Sequence, residues 1–413
     1  MNDILRTNNY KPIGIADLTN TTRIVQSYCE HNGIIYALCR YYDSNSQDNR
    51  IWAIEKIKYG KIIETSYLIN DRDGTTTSFS TSSSVSSNYI TKNRYTKPLF
   101  LTYLNNKFVL VIFSSYTSNT MQNSTIFAST ESLDDVANAE WTFSNPNQLG
   151  MQTITTFASN MLYVNGTYYM AQYSTNNGSS SADSLIVLWN STDLVTWSYK
   201  IIFTQDNNTK VAPWYNISKL RFDPNSNKFY LMLTNRYLTL YNMSSSNIDS
   251  NFKSRTSCML VSAENNIDTW TQEVIDTTVC AKLLDRVVSN NGKELISYNG
   301  RVINRTDNID METEGTGYFI QDENSNIYLI TPSYTYKVYD DRVEKINSSP
   351  YSTDLYSDYI NNNFDDAGCS HIAISESVIY FGMRTSHLSL NLNKKCTPLI
   401  ESVDTEQAYI KAE

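Results

Sequence analysis

The sequence predicts an all-β chain folded as a β-propeller of about six four-stranded antiparallel blades, with seven the next count and five the third. Three observations carry this: a composition suited to short strands and turns, a strand-after-turn segment that recurs, and a second hairpin that recurs behind it. Of 413 residues 31 are tyrosine, and asparagine, serine and threonine are abundant. Tyrosine and threonine fit pleated, half-buried surfaces, whereas asparagine and serine favour turns. Hydrophobic residues make up 40% of the chain and charged residues 18%, which suffices for a packed core.

The first repeated segment is a turn followed by a dense apolar-aromatic strand: Gly33–Arg40, Asn106–Ser114, Gly166–Ser174 and Asn227–Asn235. Another strand lies across the turn in Leu99–Asn105, Asn160–Asn165 and Lys219–Pro224. The second hairpin appears as Ile126–Thr142, Leu188–Ser198 and Leu260–Thr271, each with a tryptophan (Trp141, Trp197, Trp270) opening its last strand and suited to packing between blades. Each unit therefore holds four antiparallel strands in roughly 60 to 65 residues, and one such sheet buries its faces only by stacking on neighbours. Gly292–Asn299, Ile327–Pro332 and Val378–Arg384 are less regularly spaced strands of the same kind. A β-sandwich or jelly roll competes, but the regular pairing of hairpins favours the propeller. Residues 1–413 read as one domain with long loops near 71–96, containing the run Thr75–Ser87, and near 347–366, containing Tyr351–Phe364.

Charge and cysteine usage exclude several classes. Net charge is -9, with no stripe of lysine or arginine, so a nucleic-acid partner is not expected. The start lacks a signal-peptide pattern, and no apolar run reaches the ~20 residues of a membrane helix. Six cysteines (Cys29, Cys39, Cys258, Cys280, Cys369, Cys396) show no metal spacing. A tight hairpin through Asn32-Gly33 sets Cys29 opposite Tyr36 and leaves Cys39 out of reach, so buried free thiols are expected. A pair such as Cys258 with Cys280 stays open. His31, His371 and His387 lack ligand spacing, and His31 reads as a turn residue. No cofactor is implied. Asp71-Arg72-Asp73-Gly74 resembles the start of a calcium loop, but Ser82 stands where the glutamate belongs, leaving at most a structural calcium.

Ser191-Thr192-Asp193-Leu194-Val195-Thr196-Trp197 resembles the Asp-box turn of sialidases and the corresponding turn of arabinanase- and xylosidase-type five-bladed propellers. Ser262–Trp270 and Ser129–Trp141 are looser versions, and the glycine of the box is missing from all three. The resemblance implies a structural turn on the outer hairpin of a blade, away from any catalytic centre. Extended to catalysis, it implies carboxylates where first strands meet the central channel, since glycoside hydrolysis uses two. Asp17, Asp285 and Asp366 are the candidates; Asp17 suits the first arabinanase position, but no glutamate suits the acid. The sialidase pattern implies three converging arginines, for which Arg23 lacks its proline and Arg286 and Arg305 are loose matches.

Aromatic faces stack on sugar rings while asparagine and aspartate reach hydroxyls, so carbohydrate is a natural ligand for this composition. Trp214 and Tyr215, ahead of an inner strand, form the best ligand platform; Asp285, Arg286, Asp365, Asp366 and His371 are placed similarly. The resulting expectation is a non-catalytic recognition protein, a bacteriophage tail or receptor-binding component of the virion, assembled in the host cytoplasm and homo-oligomeric. Its partners would be a cell-surface glycan or other host receptor and other virion proteins, without membrane insertion. A glycoside hydrolase acting through channel carboxylates and a structural virion protein are the alternatives.

Overall fold

A computed structural model describes residues 21–43, 48–69, 80–81, 96–114, 124–136, 139–144, 152–175, 184–205, 215–235, 257–276, 284–315, 317–331, 333–348, 372–382, 387–392 and 400–402. Blade 1 comprises β1 (Thr21–His31), β2 (Ile34–Asp43), β3 (Asp48–Lys58) and β4 (Lys61–Ile69). After the short β5 (Ser80–Thr81), blade 2 comprises β6 (Thr96–Leu104), β7 (Lys107–Ser114), β8 (Ser124–Thr130) and β9 (Glu140–Ser144). Blade 3 comprises β10 (Gln152–Val164), β11 (Thr167–Thr175), β12 (Ser184–Ser191) and β13 (Ser198–Gln205). Blade 4 comprises β14 (Tyr215–Asp223), β15 (Lys228–Asn235), β16 (Ser257–Ala263) and β17 (Asn266–Asp276). Blade 5 comprises β18 (Leu284–Val288), β19 (Glu294–Tyr298), β20 (Arg301–Asn304) and β21 (Ile309–Glu312). Blade 6 comprises β22 (Tyr318–Gln321), β23 (Ile327–Ile330), β24 (Tyr334–Val338) and β25 (Val343–Ser348). Blade 7 comprises β26 (Ile372–Ser375), β27 (Val378–Gly382), β28 (His387–Asn391) and β29 (Ile400–Ser402).

The chain is thus an all-β β-propeller of four-stranded antiparallel blades, each made of four consecutive strands in sequence order. Six four-stranded sheets lie among the described residues, the count the repeat length gives, beside one five-stranded sheet in the order β5-β9-β8-β7-β6. Blades 5 and 6 are the most compact, occupying only Leu284–Glu312 and Tyr318–Ser348. The seven strand-after-turn segments fall on β2, β7, β11, β15, β19, β23 and β27, the second strand of each blade. Ser80–Thr81, inside the run read as a loop, instead pairs in parallel with Glu140–Trp141, where an outer strand offers an open edge.

Two-residue turns set the strand registers. Asn32 (φ 53) and Gly33 (φ 72) are both left-handed, as a type I′ hairpin requires, and the same holds for Asn105-Asn106 and Asn165-Gly166. The Asn32-Gly33 turn places Cys29 opposite Tyr36 and Val25 opposite Cys39, and both thiols are free and buried.

Contacts divide the chain into two compact units, 1–153 with 191–198 and 370–413, and 154–190 with 199–369; the chain passes between them at several points, with no single linker. Within the first unit, alternation along blade 1 sends side chains to two neighbours. Tyr36, Leu38, Trp52 and Ile54 pack with Phe108, Leu110 and Trp141 of blade 2. Ile35, Ala37, Cys39 and Ala53 pack instead with Tyr380 of blade 7, so the last blade lies against the first. Central strands buried on both faces read as continuous apolar runs, as in β7, where Phe108 through Ile112 are each at most 1% exposed. Within the second unit, Leu220 and Leu231 pack with Leu188 of blade 3, and Phe319 and Leu329 pack with Leu295 and Val302. Each fully buried large side chain contributes about 1.5–3 kcal/mol.

The first strands form an inner row in each unit: β1 beside β6 and β26, and β14 beside β18, which lies beside β22. A side-chain latch joins neighbours in this row. Ser27 Oγ accepts the Leu101 N–H at 2.8 Å, Asn160 Oδ1 accepts the Leu220 N–H at 2.9 Å, and Asp285 Oδ2 accepts the Phe319 N–H at 2.8 Å. Ser27 and Leu220 follow bulges, where the ladder is interrupted and strand groups are freed.

Candidate functional site

Antiparallel order gives each blade two unlike ends. Connections from first to second and from third to fourth strand leave one end; those from second to third, and from fourth to the next blade, leave the other. The first kind are short, as at 32–33, 59–60, 105–106, 165–166 and 264–265. The two longest connections, 236–256 and 349–371, are of the second kind, whereas 70–95 is broken by β5, which pairs with the start of β9. These segments and 115–123 are rich in Ser, Thr, Asn and Tyr.

At that end of the second unit stands a buried ion network spanning three inner strands. It is built from β14, where Lys219, Arg221 and Asp223 alternate with Leu220 and Phe222. A bulge between Ile217 and Leu220 resets the pairing at Lys219. The partner is Asp285, second residue of β18, which is 0% exposed. Arg221 clasps it with two bonds, Nε to Oδ1 at 3.1 Å and Nη2 to Oδ2 at 2.8 Å. Lys219 Nζ lies 3.5 Å from Oδ2, and the backbone N–H groups of Arg286 and Phe319 donate at 2.8 Å each. Arg221 Nη2 and Lys219 Nζ also donate to the Phe319 carbonyl, both at 3.1 Å. Burial alone would push the Asp285 carboxyl up, but Arg221, Lys219 and the Phe319 N–H outweigh it and hold it below the usual carboxylate range.

These donors occupy every acceptor position of the carboxylate, which offers about four. Asp285, expected from sequence at a ligand-facing rim, stands as a buried carboxylate among protein donors. Arg286 is buried as well. Its side chain points to the other face of β18, donates to Glu294 Oε1 at 2.6 Å and Asp223 Oδ2 at 3.3 Å, and lies over the Tyr230 ring at 3.6 Å. At 4% exposure it joins blades 4 and 5 and presents nothing to solvent. Burial raises and Ser226, Asn225 and Arg286 lower the Asp223 carboxyl, with the lowering dominant.

Asp17, Trp214, Asp365, Asp366 and His371 lie outside the described residues, as do Asp71–Gly74; Tyr215 opens β14, and its side chain is likewise not described. Among the described residues no group of three or more His, Cys, Asp or Glu could hold a metal ion, and no helix is long and apolar enough to cross a membrane. Sequence reasoning missed Lys219 and Arg221. The available signal was Lys-x-Arg-x-Asp on a first strand, three charges on alternate positions in a chain poor in charge.

The Asp-box-like turn is structural, as its resemblance implies. Asp193 Oδ1 accepts the Val195 and Thr196 N–H groups at 2.8 and 2.7 Å, and Ser191 Oγ accepts the Leu194 N–H at 2.9 Å. Leu194 takes φ 64, a left-handed conformation that L side chains rarely adopt, and its carbonyl accepts from Ser144 Oγ at 2.9 Å. Trp197 donates to Ser144 Oγ at 2.9 Å and stacks on Phe127 with centroids 3.8 Å apart. Trp270 repeats the indole contact, donating to the Ile267 carbonyl at 2.8 Å. His31, expected as a turn residue, ends β1 and stacks on Tyr103 at 3.8 Å.

No family model and no curated protein matches the sequence. Solved structures similar to the chain include an α-L-arabinanase of Penicillium chrysogenum complexed with arabinobiose, at 14% identity and TM-score 0.40, covering 71% of this chain and 92% of that one. An α-L-arabinofuranosidase of Fusarium graminearum in complex with an iminosugar inhibitor gives 12% identity and TM-score 0.43 over 75% and 88%. Levansucrase of Bacillus subtilis in complex with oligosaccharides gives 12% and 0.42 over 82% and 88%. These likenesses concern the fold alone.

Proposed function

We propose that the chain recognises carbohydrate without hydrolysing it, as a tail or receptor-binding component of a bacteriophage. The observation that carries this reading is the asymmetry of blades 1 to 4: mostly short turns leave one end, and the long connection 236–256, rich in Tyr, Asn, Ser and Thr, leaves the other. Rigid aromatic area with adaptable amides and hydroxyls is the surface chemistry of recognition loops. The commitment of Asp285 to protein donors supports the non-catalytic reading. Trp214 and Tyr215 serve as the stacking platform, with Asp365, Asp366 and His371 reaching hydroxyls. Binding through single sites is weak, so the chain acts as a homo-oligomer alongside other virion proteins, gaining about 10²- to 10⁴-fold in avidity.

The test is a glycan array run beside a hydrolysis screen, on the full chain and on Trp214→Ala and Tyr215→Ala. Binding without turnover, lost in either variant, is the expected result. Turnover abolished in Asp17→Asn or Asp366→Asn would make the protein a glycosidase. Neither binding nor turnover would leave a structural virion role.

A further inference from the structure

We propose that Asn165-Gly166, the turn between β10 and β11, is a site of spontaneous covalent modification at which the asparagine becomes aspartate or isoaspartate. The chemistry needs a side-chain amide followed by an unhindered backbone nitrogen, which asparagine before glycine supplies. Gly166 N attacks Asn165 Cγ. The N–Cγ bond forms as the nitrogen yields its proton to solvent, and the Cγ–Nδ2 bond breaks as ammonia leaves with a proton from water. Water then opens the succinimide ring at either carbonyl. One opening gives aspartate; the other gives isoaspartate, whose main chain runs through the former side chain and is one carbon longer. Asn-Gly pairs among the described residues are Asn32-Gly33, Asn165-Gly166, Asn291-Gly292 and Asn299-Gly300, and the dipeptide alone does not rank them.

The fold does rank them. At the first pair the Gly33 N–H donates to Glu30 Oε1 at 2.8 Å, and the Asn32 amide meets His31 Nε2 at 2.9 Å. Glu376 Oε1 also crowds Gly33, standing 2.9 Å from where a Cβ would lie. Asn291 donates to Asp340 Oδ2 at 2.6 Å, and the Gly292 N–H donates to the Ser289 carbonyl at 2.8 Å. The Gly300 carbonyl accepts the Thr313 N–H at 2.8 Å, and the Thr313 carbonyl oxygen stands 3.3 Å from a Cβ position on Gly300. Asn165 and Gly166 differ. Both are exposed, neither the Asn165 amide nor the Gly166 N–H has a hydrogen-bond partner among the described residues, and no atom lies within 4 Å of a Cβ position on Gly166. Their left-handed backbone, φ 48 and 84, holds the nitrogen away from Cγ, so the turn must open before reaction. Each extra hydrogen bond at the other pairs lowers the open population by about 2- to 12-fold, and this turn has none to break. Isoaspartate lengthens a two-residue turn by one backbone carbon, which loosens Tyr163 from Tyr168, whose ring centroids lie 4.7 Å apart.

The test ages the full chain in mildly alkaline buffer, because the attacking nitrogen reacts as its anion, and in the same buffer with urea. Chymotryptic peptide mapping by mass spectrometry follows each pair; cleavage at Tyr163 and Tyr168 isolates Asn165 from Asn177-Gly178, which lies outside the described residues. Methyl transfer by an isoaspartyl methyltransferase counts the isoaspartate. In the folded chain Asn165 should react at least about threefold faster than Asn32, Asn291 and Asn299, and the four rates should converge in urea. Gly166→Ala, checked for folding by circular dichroism, should bring Asn165 down to the rate of the other pairs; if that variant does not fold, the folded-to-urea ratio of the wild-type chain decides. An Asn165 no faster than the other three in the folded chain would overturn the proposal. A ranking that persists unchanged in urea would overturn it too, since flanking sequence and not the fold would then set the rates.

Discussion

Asp285→Asn separates the two tasks of the inner-row carboxylate. The amide oxygen can still accept the Phe319 N–H, as Asn160 accepts that of Leu220 at 2.9 Å. What disappears is the charge opposite Arg221 and Lys219. Removing one partner of a buried ion pair costs about 3–5 kcal/mol, because the other charge stays desolvated. Here the surviving side chains are 24% and 10% exposed, so water relieves part of the cost and the lower figure, about 3 kcal/mol, applies. With a urea m-value of about 3 kcal/mol/M, the unfolding midpoint falls by about 1 M at neutral pH. Urea titration followed by tryptophan fluorescence and far-UV circular dichroism measures it. A midpoint within about 0.3 M of the wild type would refute the view that the charges, and not the latch alone, hold blades 4, 5 and 6 together.

Four further outcomes follow from named groups. Asp193, Asp223 and Asp285 are all held below the ordinary carboxylate range, so their contribution is full above the unfolded value of about 4 and is lost as pH falls through their lower folded values; unfolding free energy should drop steeply below about pH 4, less so in Asp285→Asn. Trp197→Ala removes the Phe127 stack and two indole hydrogen bonds, costing about 3–5 kcal/mol by urea titration, whereas Asp193→Ala, which loses turn hydrogen bonds at an exposed site, costs about 1–2 kcal/mol. Cys29 and Cys39 are buried, and burial, aided by Glu30, pushes the Cys29 thiol up, so neither should react with a maleimide until urea unfolds the first unit. Gly317→Ala places a methyl 1.9 Å from the Ile330 carbonyl oxygen and should cost well over about 2 kcal/mol, while Gly166→Ala meets no atom within 4 Å and carries only the left-handed backbone cost of about 1 kcal/mol.

The blades were legible because their signals are local. Asn32-Gly33 dictates a I′ turn, the turn dictates the Cys29–Tyr36 register, and the register fixes which side chains face each neighbour. The repeat length gave the six four-stranded sheets, although it did not show how tightly blades 5 and 6 economise on connections. Sequence marked their second strands at Gly292–Asn299 and Ile327–Pro332 but not their shorter span. The environment of Asp285 was not legible at all. Its cations come from β14, more than sixty residues earlier, and its backbone donor from β22, so no window of sequence contains the set.

The three inner-row latches bear on why that set exists. Ser27, Asn160 and Asp285 each accept one backbone N–H of the next blade's first strand, so a neutral side chain is sufficient for the joint. An aspartate there is costly unless cations follow it into the interior, and buried ion pairs are on balance no more stabilising than well-packed neutral groups. Stability therefore does not account for the choice of aspartate at the third joint. What the aspartate adds over serine or asparagine is a fixed orientation for Arg221, whose Nε and Nη2 it grips at 3.1 and 2.8 Å. A charged latch that ties β14 to β18 and β22 at once accounts for both the aspartate and the Lys-x-Arg pair on β14, and it makes the stability of Asp285→Asn the measurement on which the account turns.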